Sequence, residues 1–231
     1  MVMVSQTVIP WGRSFEDYTA MFQLSDHDLA QKIIGCGDGS ASFNKRMKEQ
    51  GYRVISCDPA YNLSKTQIAN RIAHIKPEAL RRIHQNRDRY HWTNIPDPQA
   101  LLTLRTETMN EFLADYESGT AEGRYLPYSL PHFPFGDGEF AIALCSHFLF
   151  FFATLGYRFH LAAVLEMLRV AREARIFPLV DENCNPAEWL APLLRELGRR
   201  DFQIEIREVP YHLQRNANHM LRIYRTGREA Q

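Results

Sequence analysis

Apolar positions along the chain follow two rhythms. Short apolar runs read as buried strands: Ile33-Ile34 closes one, Tyr52–Cys57 forms the next, and Phe140–Cys145 and Arg175–Leu179 follow. Two more, Phe202–Val209 and about Met220–Tyr224, close the sequence. Between them lie helical patterns. Phe15, Tyr18 and Phe22 share one face of a helix from Phe15 to about Leu24, capped by Ser14 with Asp17 three positions on, and Ser25 or Asp26 starts a further turn. Ser40–Gln50, His160–Ala171 (through Leu161, Val164, Leu165 and Leu168) and Ala187–Leu197 are expected as further helices. Residues 64–122 show no strand and read as three helices. Ile68, Ile72 and Ile75 line the first, Pro77 opens the second, and Pro96 and Pro98 punctuate before the third. The third carries Leu101, Leu104, Met109, Phe112, Leu113 and Tyr116 and ends at Gly119 and Gly123. Residues 1–13 read as an irregular leader. Strands alternating with helices imply one α/β domain over residues 1–231, with a helical insertion at about 64–122.

The first strand runs into Gly35-Cys36-Gly37-Asp38-Gly39-Ser40, and Asp58 stands at the end of the second strand, nineteen residues after the last glycine. Glycines let a backbone approach a ligand closely, and a helix leaving the turn presents free N–H groups. A carboxylate ending the next strand is placed to accept from ribose hydroxyls. The arrangement points to a nucleoside cofactor, with a plain strand-to-helix turn as the alternative. A dinucleotide fingerprint would put glycine or alanine where Ser40 stands, and Gly39 comes one residue too early for it.

Two hydrophobic residues followed by Gly-Cys-Gly-Asp-Gly resemble the first motif of class I S-adenosylmethionine-dependent methyltransferases. A second block, Leu130-Pro131-His132-Phe133-Pro134-Phe135-Gly136-Asp137-Gly138-Glu139-Phe140, is similar to the segment that leads into the fourth strand of that family. The resemblance covers roughly residues 14–60 and 125–225. It implies a three-layer Rossmann-like sheet, mostly parallel with its last strand antiparallel, and S-adenosyl-L-methionine as cofactor. By the same resemblance Gly35, Cys36, Gly37, Asp38 and Gly39 would lie against the methionine part, Asp58 and Pro59 would hold the ribose, and Ser129, Leu130, Cys145 and Ser146 would complete the cofactor site. Three positions depart from the pattern: Ile33, Ser129 and Ala141 stand where the family carries acidic residues.

The same likeness suggests who meets the substrate. In the family a helix before the first strand closes over the cofactor, so Tyr18, Met21 and Phe22 are lid candidates, or else dock that helix on the sheet. His147, at the end of the fourth strand, is a candidate general base, a hydrogen-bonding positioner, or a packed histidine. An antiparallel last strand would bring Tyr211, His212, Arg215 and Asn218 to the pocket rim, with Tyr211 and Arg215 as substrate contacts. Asp181 and Glu182 could meet a substrate amine or cap the helix near Pro186.

Charge and composition narrow the partners. Lys and Arg number 27 and Asp and Glu 27, so no global field favours nucleic acid or a membrane surface. No apolar run approaches the ~20 residues of a membrane span, and the start of the chain lacks the basic region and apolar core of a secretory signal. Cys36, Cys57, Cys145 and Cys184 have no metal-binding spacing and suit reduced thiols, so a cytoplasmic protein without a metal is expected. The insertion is polarised: residues 65–91 hold seven basic against two acidic residues (+5), and residues 92–122 one against six (−5). The basic part, with His74, His84, Tyr90, His91 and Trp92, could track a nucleic-acid backbone, or the two parts could simply face each other. A sulfonium displacement needs alignment more than acid–base groups, and no Asn-Pro-Pro-Tyr-type segment ends the fourth strand. Methyl transfer to a small molecule is the expectation; the alternatives are a non-catalytic nucleoside-binding regulator and an RNA methyltransferase using residues 65–91.

Overall fold

A computed structural model describes residues 11–225; most of the leader, residues 1–10, lies outside them. Strands β1 (Ile33–Cys36), β2 (Val54–Cys57), β3 (Tyr125–Leu126), β4 (Phe140–Ser146), β5 (Ala171–Phe177), β6 (Phe202–Glu208) and β7 (His219–Arg225) form a sheet of order β3-β2-β1-β4-β5-β7-β6. All neighbours are parallel until β7, which runs antiparallel between β5 and β6. The mostly parallel Rossmann-like sheet with its last strand antiparallel is the architecture that the resemblance implied.

Alternation along the strands sorts side chains onto two faces. Ile34, Cys36, Cys57, Ala143, Cys145, Ala174 and Ile176 pack against α6 (Gly156–Val170) and α7 (Leu190–Leu197). Ile33, Val54, Ile142, Leu144 and Phe177 pack against α1 (Phe15–Phe22) and α3 (Phe43–Glu49). Both faces are covered, which is why the central strands read as continuous apolar runs. A four-residue helix, α2 (Asp26–Leu29), leads from α1 into β1. The Ser14–Asp17 capping box forms as expected, and Ser25–Asp28 makes a second one at α2.

Several expectations need correction. Pro77 opens no helix: α4 runs unbroken from Lys65 to Gln85 with Pro77 on its exposed side. Its buried residues Ile68, Ile72, Ala79 and Ile83 stay in phase across the proline, so one packed face holds the helix together despite the lost backbone donor. Among the described residues the insertion therefore has two long helices, α4 and α5 (Pro98–Ala121), joined through a 3-10 turn at Arg87–Arg89. Leu104 is not part of the buried stripe of α5 but 37% exposed; Arg105 lies in it instead. The two-residue strand β3 has no counterpart in the sequence reading, being too short to show alternation. It pairs Tyr125–Leu126 with Ser56–Cys57. Strand β5 starts four residues earlier than expected, and α3 begins at Phe43 rather than Ser40 because residues 37–42 are spent on the turn.

Helices α4 and α5 enclose a satellite core of Ile68, Ile72, Met109, Phe112 and Tyr116 with Tyr61 and Tyr125. Lys65 near the start of α4 pairs with Glu117 near the end of α5 at 3.4 Å, so the basic and acidic halves of the insertion face each other antiparallel.

Candidate nucleoside-cofactor site

Strand β1 pairs with β2 on one side and β4 on the other, so the topological switch point, outside which open α/β sheets take their ligands, lies at their carboxyl ends. There the chain turns sharply. Gly37 and Gly39 adopt φ of 79° and 53°, which favours glycine. Gly37 N–H donates to Cys57 O at 2.8 Å, tying the turn to β2. A side chain on Gly37 would lie 3.2 Å from the Phe148 ring, so that glycine lets the segment after β4 close against the turn.

Asp58 ends β2. Its Oδ2 accepts from Gly39 N–H at 3.0 Å and its Oδ1 from Ala60 N–H at 2.8 Å, where Pro59 begins a 3-10 turn. Burial raises its pKa, against the pull of those two backbone bonds. Each oxygen keeps a second acceptor position.

Asp38 is used differently. Its carboxylate folds back over Gly35, where an added Cβ would fall 1.8 Å from Oδ2. It accepts from the hydroxyls of Tyr18 (2.7 Å) and Ser56 (2.6 Å), and burial pushes its pKa up to about 6. The chain of bonds continues. Asn44 Nδ2 donates to Ser56 Oγ (3.1 Å), Asn44 Oδ1 accepts from Arg124 (2.6 Å), and Arg124 is bidentate with Asp115 of α5. A polar line thus joins the glycine turn to the end of α5.

Tyr18, Met21 and Phe22 do not form a lid. They are at most 1% exposed, Tyr18 stacks on Phe43 at 4.4 Å, and the whole face of α1 docks on the sheet. Cys36 and Cys145 send their side chains into the α6/α7 core, where burial raises both thiols, Cys145 to about 12; only their backbones border the turn. Ser129 O accepts from His132 N–H in a tight loop, and Leu130 is buried beside it. Ser146 Oγ lies 2.9 Å from His147 Nδ1. Asp181 accepts from the backbone of Asn183 and Asn185, ordering its own loop.

His147 holds a left-handed φ of 50°, unusual outside glycine, and is caged by Phe151, Phe177 and Tyr211. Burial, then the charges of Arg13 and Arg105, drive its pKa well below the ordinary value, so the imidazole is neutral at pH 7. Tyr211 is buried and accepts from Arg105 Nη2 at 2.9 Å. Arg215 is not with them: it is exposed, with its backbone N–H on Arg89 O. His212 is exposed and lies against His91 with the rings tilted by 40°, and Asn218 bonds Glu208.

Sequence reasoning missed Arg13, Ser56, Arg105 and Phe148. Arg105 carried a signal, a charge four residues after Leu101 in an apolar stripe. The others carried none. No group of three or more potential metal ligands occurs among the described residues.

No protein-family model matches the chain. Among solved structures, the chain is similar to the magnesium protoporphyrin IX methyltransferase of Synechocystis PCC 6803 (12% identity, 91% of this chain and 81% of that one, TM-score 0.48). It is also similar to the 1,6-didemethyltoxoflavin-N1-methyltransferase of Burkholderia thailandensis (14%, 85% and 72%, TM-score 0.43). Over 218 residues, 93% of this chain and 95% of the relative, it is 30% identical to the uncharacterized protein MJ0045 of Methanocaldococcus jannaschii. The chain belongs to the same family as that protein.

Proposed function

We propose that the chain transfers a methyl group from S-adenosylmethionine to a small-molecule acceptor held beneath the α4–α5 cap. The observation that carries this reading is Asp58, set at the carboxyl end of β2 and 3.0 Å from the N–H of the last glycine of the turn, beside the β1/β4 switch point. The residues present suit a nucleoside. Asp58 has acceptor positions left for two ribose hydroxyls. A Cβ on Gly39 would meet only Asp58 Oδ2, at 3.9 Å, which leaves the turn open to close approach. Ser129 and Leu130 are the residues to meet the base.

When bound, the cofactor supplies a sulfonium-activated methyl group. The chain's own share is alignment and exclusion of water. Phe151, Phe177 and Tyr211 pack around His147 at the end of β4, and Phe148 lies against Gly37. His147, neutral and oriented through Nδ1 by Ser146, offers Nε2 as one hydrogen-bond position for the acceptor. Its depressed pKa makes it a positioner rather than a strong base.

Calorimetry with S-adenosylmethionine and S-adenosylhomocysteine tests the reading. Binding is expected, and Asp58→Ala should weaken it by about tenfold or more, the effect of hydrogen bonds to a charged group. Absence of binding to either compound would sink the proposal, and an unchanged affinity in the variant would remove the ribose assignment.

A further inference from the structure

Two guanidiniums share the buried space beneath the cap. Arg105, 1% exposed, projects from the middle of α5 and donates to Tyr211 Oη at 2.9 Å, to Gly12 O at 3.3 Å and to Asp17. Arg13, 9% exposed, donates through Nη1 to Trp11 O at 3.3 Å. Its Nε is buried and meets no acceptor among the described residues. The backbone here is pinned. Arg13 O accepts from Ser42 N–H at 3.1 Å, directly behind the glycine turn, and a side chain on Gly12 would fall 2.6 Å from Ser40 O. The Arg13 backbone is thus held behind the glycine turn, and its charge acts on Tyr18 of α1, Arg105 of α5, His147 and Tyr211.

The charges do not balance. Asp17 is the carboxylate that faces this pair, and it is divided between Arg105 and the backbone N–H of Ser14. Asp38 is engaged with Tyr18 and Ser56. Residues 1–10 contain neither Asp nor Glu. One buried positive charge is left without a counter-ion among the described residues. Such a charge is costly alone, and a fork of N–H donors is matched to a carboxylate or phosphate.

We infer that Arg13, backed by Arg105, is the subsite for an oxyanion, carboxylate or phosphate, carried by the methyl acceptor. The anion site stands on the geometry above; its assignment to an acceptor rests on the methyl-transfer reading. The acceptor would bind with its anionic end on the Nε edge of Arg13 and its nucleophile toward His147.

The full chain is titrated with inorganic phosphate and with acetate by heteronuclear NMR, following the Nε–Hε resonances of Arg13 and Arg105 in the wild type and that of Arg105 in the variants. Affinities for S-adenosylhomocysteine and 5′-methylthioadenosine, which lacks the amino-acid end, are measured in parallel. Saturable shifts are expected. Arg13→Met should weaken the better anion by about tenfold or more while leaving both nucleosides at wild-type affinity. Asp58→Ala should do the reverse. Losing a buried unpaired charge should leave Arg13→Met folded with a raised melting temperature; Arg13→Gln serves as the second variant. Equal phosphate and acetate binding in wild type and both variants would mean an adventitious ion only and overturn the site. Loss of S-adenosylhomocysteine but not 5′-methylthioadenosine in Arg13→Met would give the oxyanion to the cofactor's own carboxylate and overturn the acceptor assignment. Arg13-dependent anion binding without any nucleoside binding would keep the site and sink the methyl-transfer reading instead.

Discussion

Two carboxylates flank the glycine turn and are spent on different tasks. Asp58 faces the crevice, while Asp38 is turned inward onto two hydroxyls. With its folded-state pKa pushed up to about 6, Asp38 binds its proton more tightly folded than unfolded. Stability from this group is therefore full at acid pH and lost as pH rises from about 4 to about 6. Asp38→Asn keeps the shape without the charge, so relative to wild type it should gain up to about 3 kcal/mol between pH 4 and pH 8. Urea melts at the two pH values check this; parallel curves would contradict it. His147 has the opposite sign. Its folded pKa lies below the ordinary ~6.5, so below that pH the unfolded chain takes the proton first and stability falls. His147→Asn should flatten that acid limb, read as a smaller change in urea midpoint between pH 7 and pH 5.

Helix α5 also fixes the edge of the sheet. Near its end Asp115 holds Arg124 through two hydrogen bonds at 2.7 and 2.8 Å and accepts from Tyr125, fixing β3 and, through Asn44 and Ser56, the side of the glycine turn. Both partners are largely buried, at 12% and 13% side-chain exposure. Asp115→Ala removes both of these bonds from a largely buried guanidinium that keeps only Glu122 and Asn44, and should cost about 1.5–3 kcal/mol. Glu122→Ala removes an exposed partner of the same arginine and should cost no more than about 1 kcal/mol. Chemical denaturation ranks the two; equal costs would mean that the buried line carries no special weight. In α4, Pro77→Ala restores a backbone donor on an exposed side without touching the packed face, and should raise stability by about 1–3 kcal/mol.

Across the whole molecule, opposite charges are spent on each other rather than arrayed as a field. Lys65 meets Glu117 across the cap, Arg81 and Arg82 meet Glu78, and a ladder of Glu173, Arg222, Glu205 and Tyr224 crosses β5, β7 and β6. Within residues 65–91, Arg71, Lys76, Arg87 and Arg89 form no salt bridge among the described residues, but 27 acidic residues balance the 27 basic ones over the whole chain, so no wider positive field supports the segment. In a gel shift with structured RNA at about 150 mM salt, no retention is expected; a salt-dependent shift would reverse this. No helix among the described residues is long and apolar enough to cross a membrane.

The local order of elements and the glycine turn were legible from sequence because they rest on short-range rules. Apolar runs make strands, Ser14 makes a cap, and glycine alone relaxes at the φ of Gly37 and Gly39. That Asp58 reaches the turn followed from motif spacing within one strand–helix–strand unit. What spacing could not tell was which face a side chain takes once the sheet is covered on both sides. The lid candidates Tyr18 and Phe22 became core, Cys36 and Cys145 turned away from the crevice, and Pro77 was absorbed into a packed helix. Arg13 and Arg105 lie 92 positions apart and meet only because the cap folds back over the start of the chain. Their excess charge exists only in three dimensions, where burial removes the water that would have hidden it.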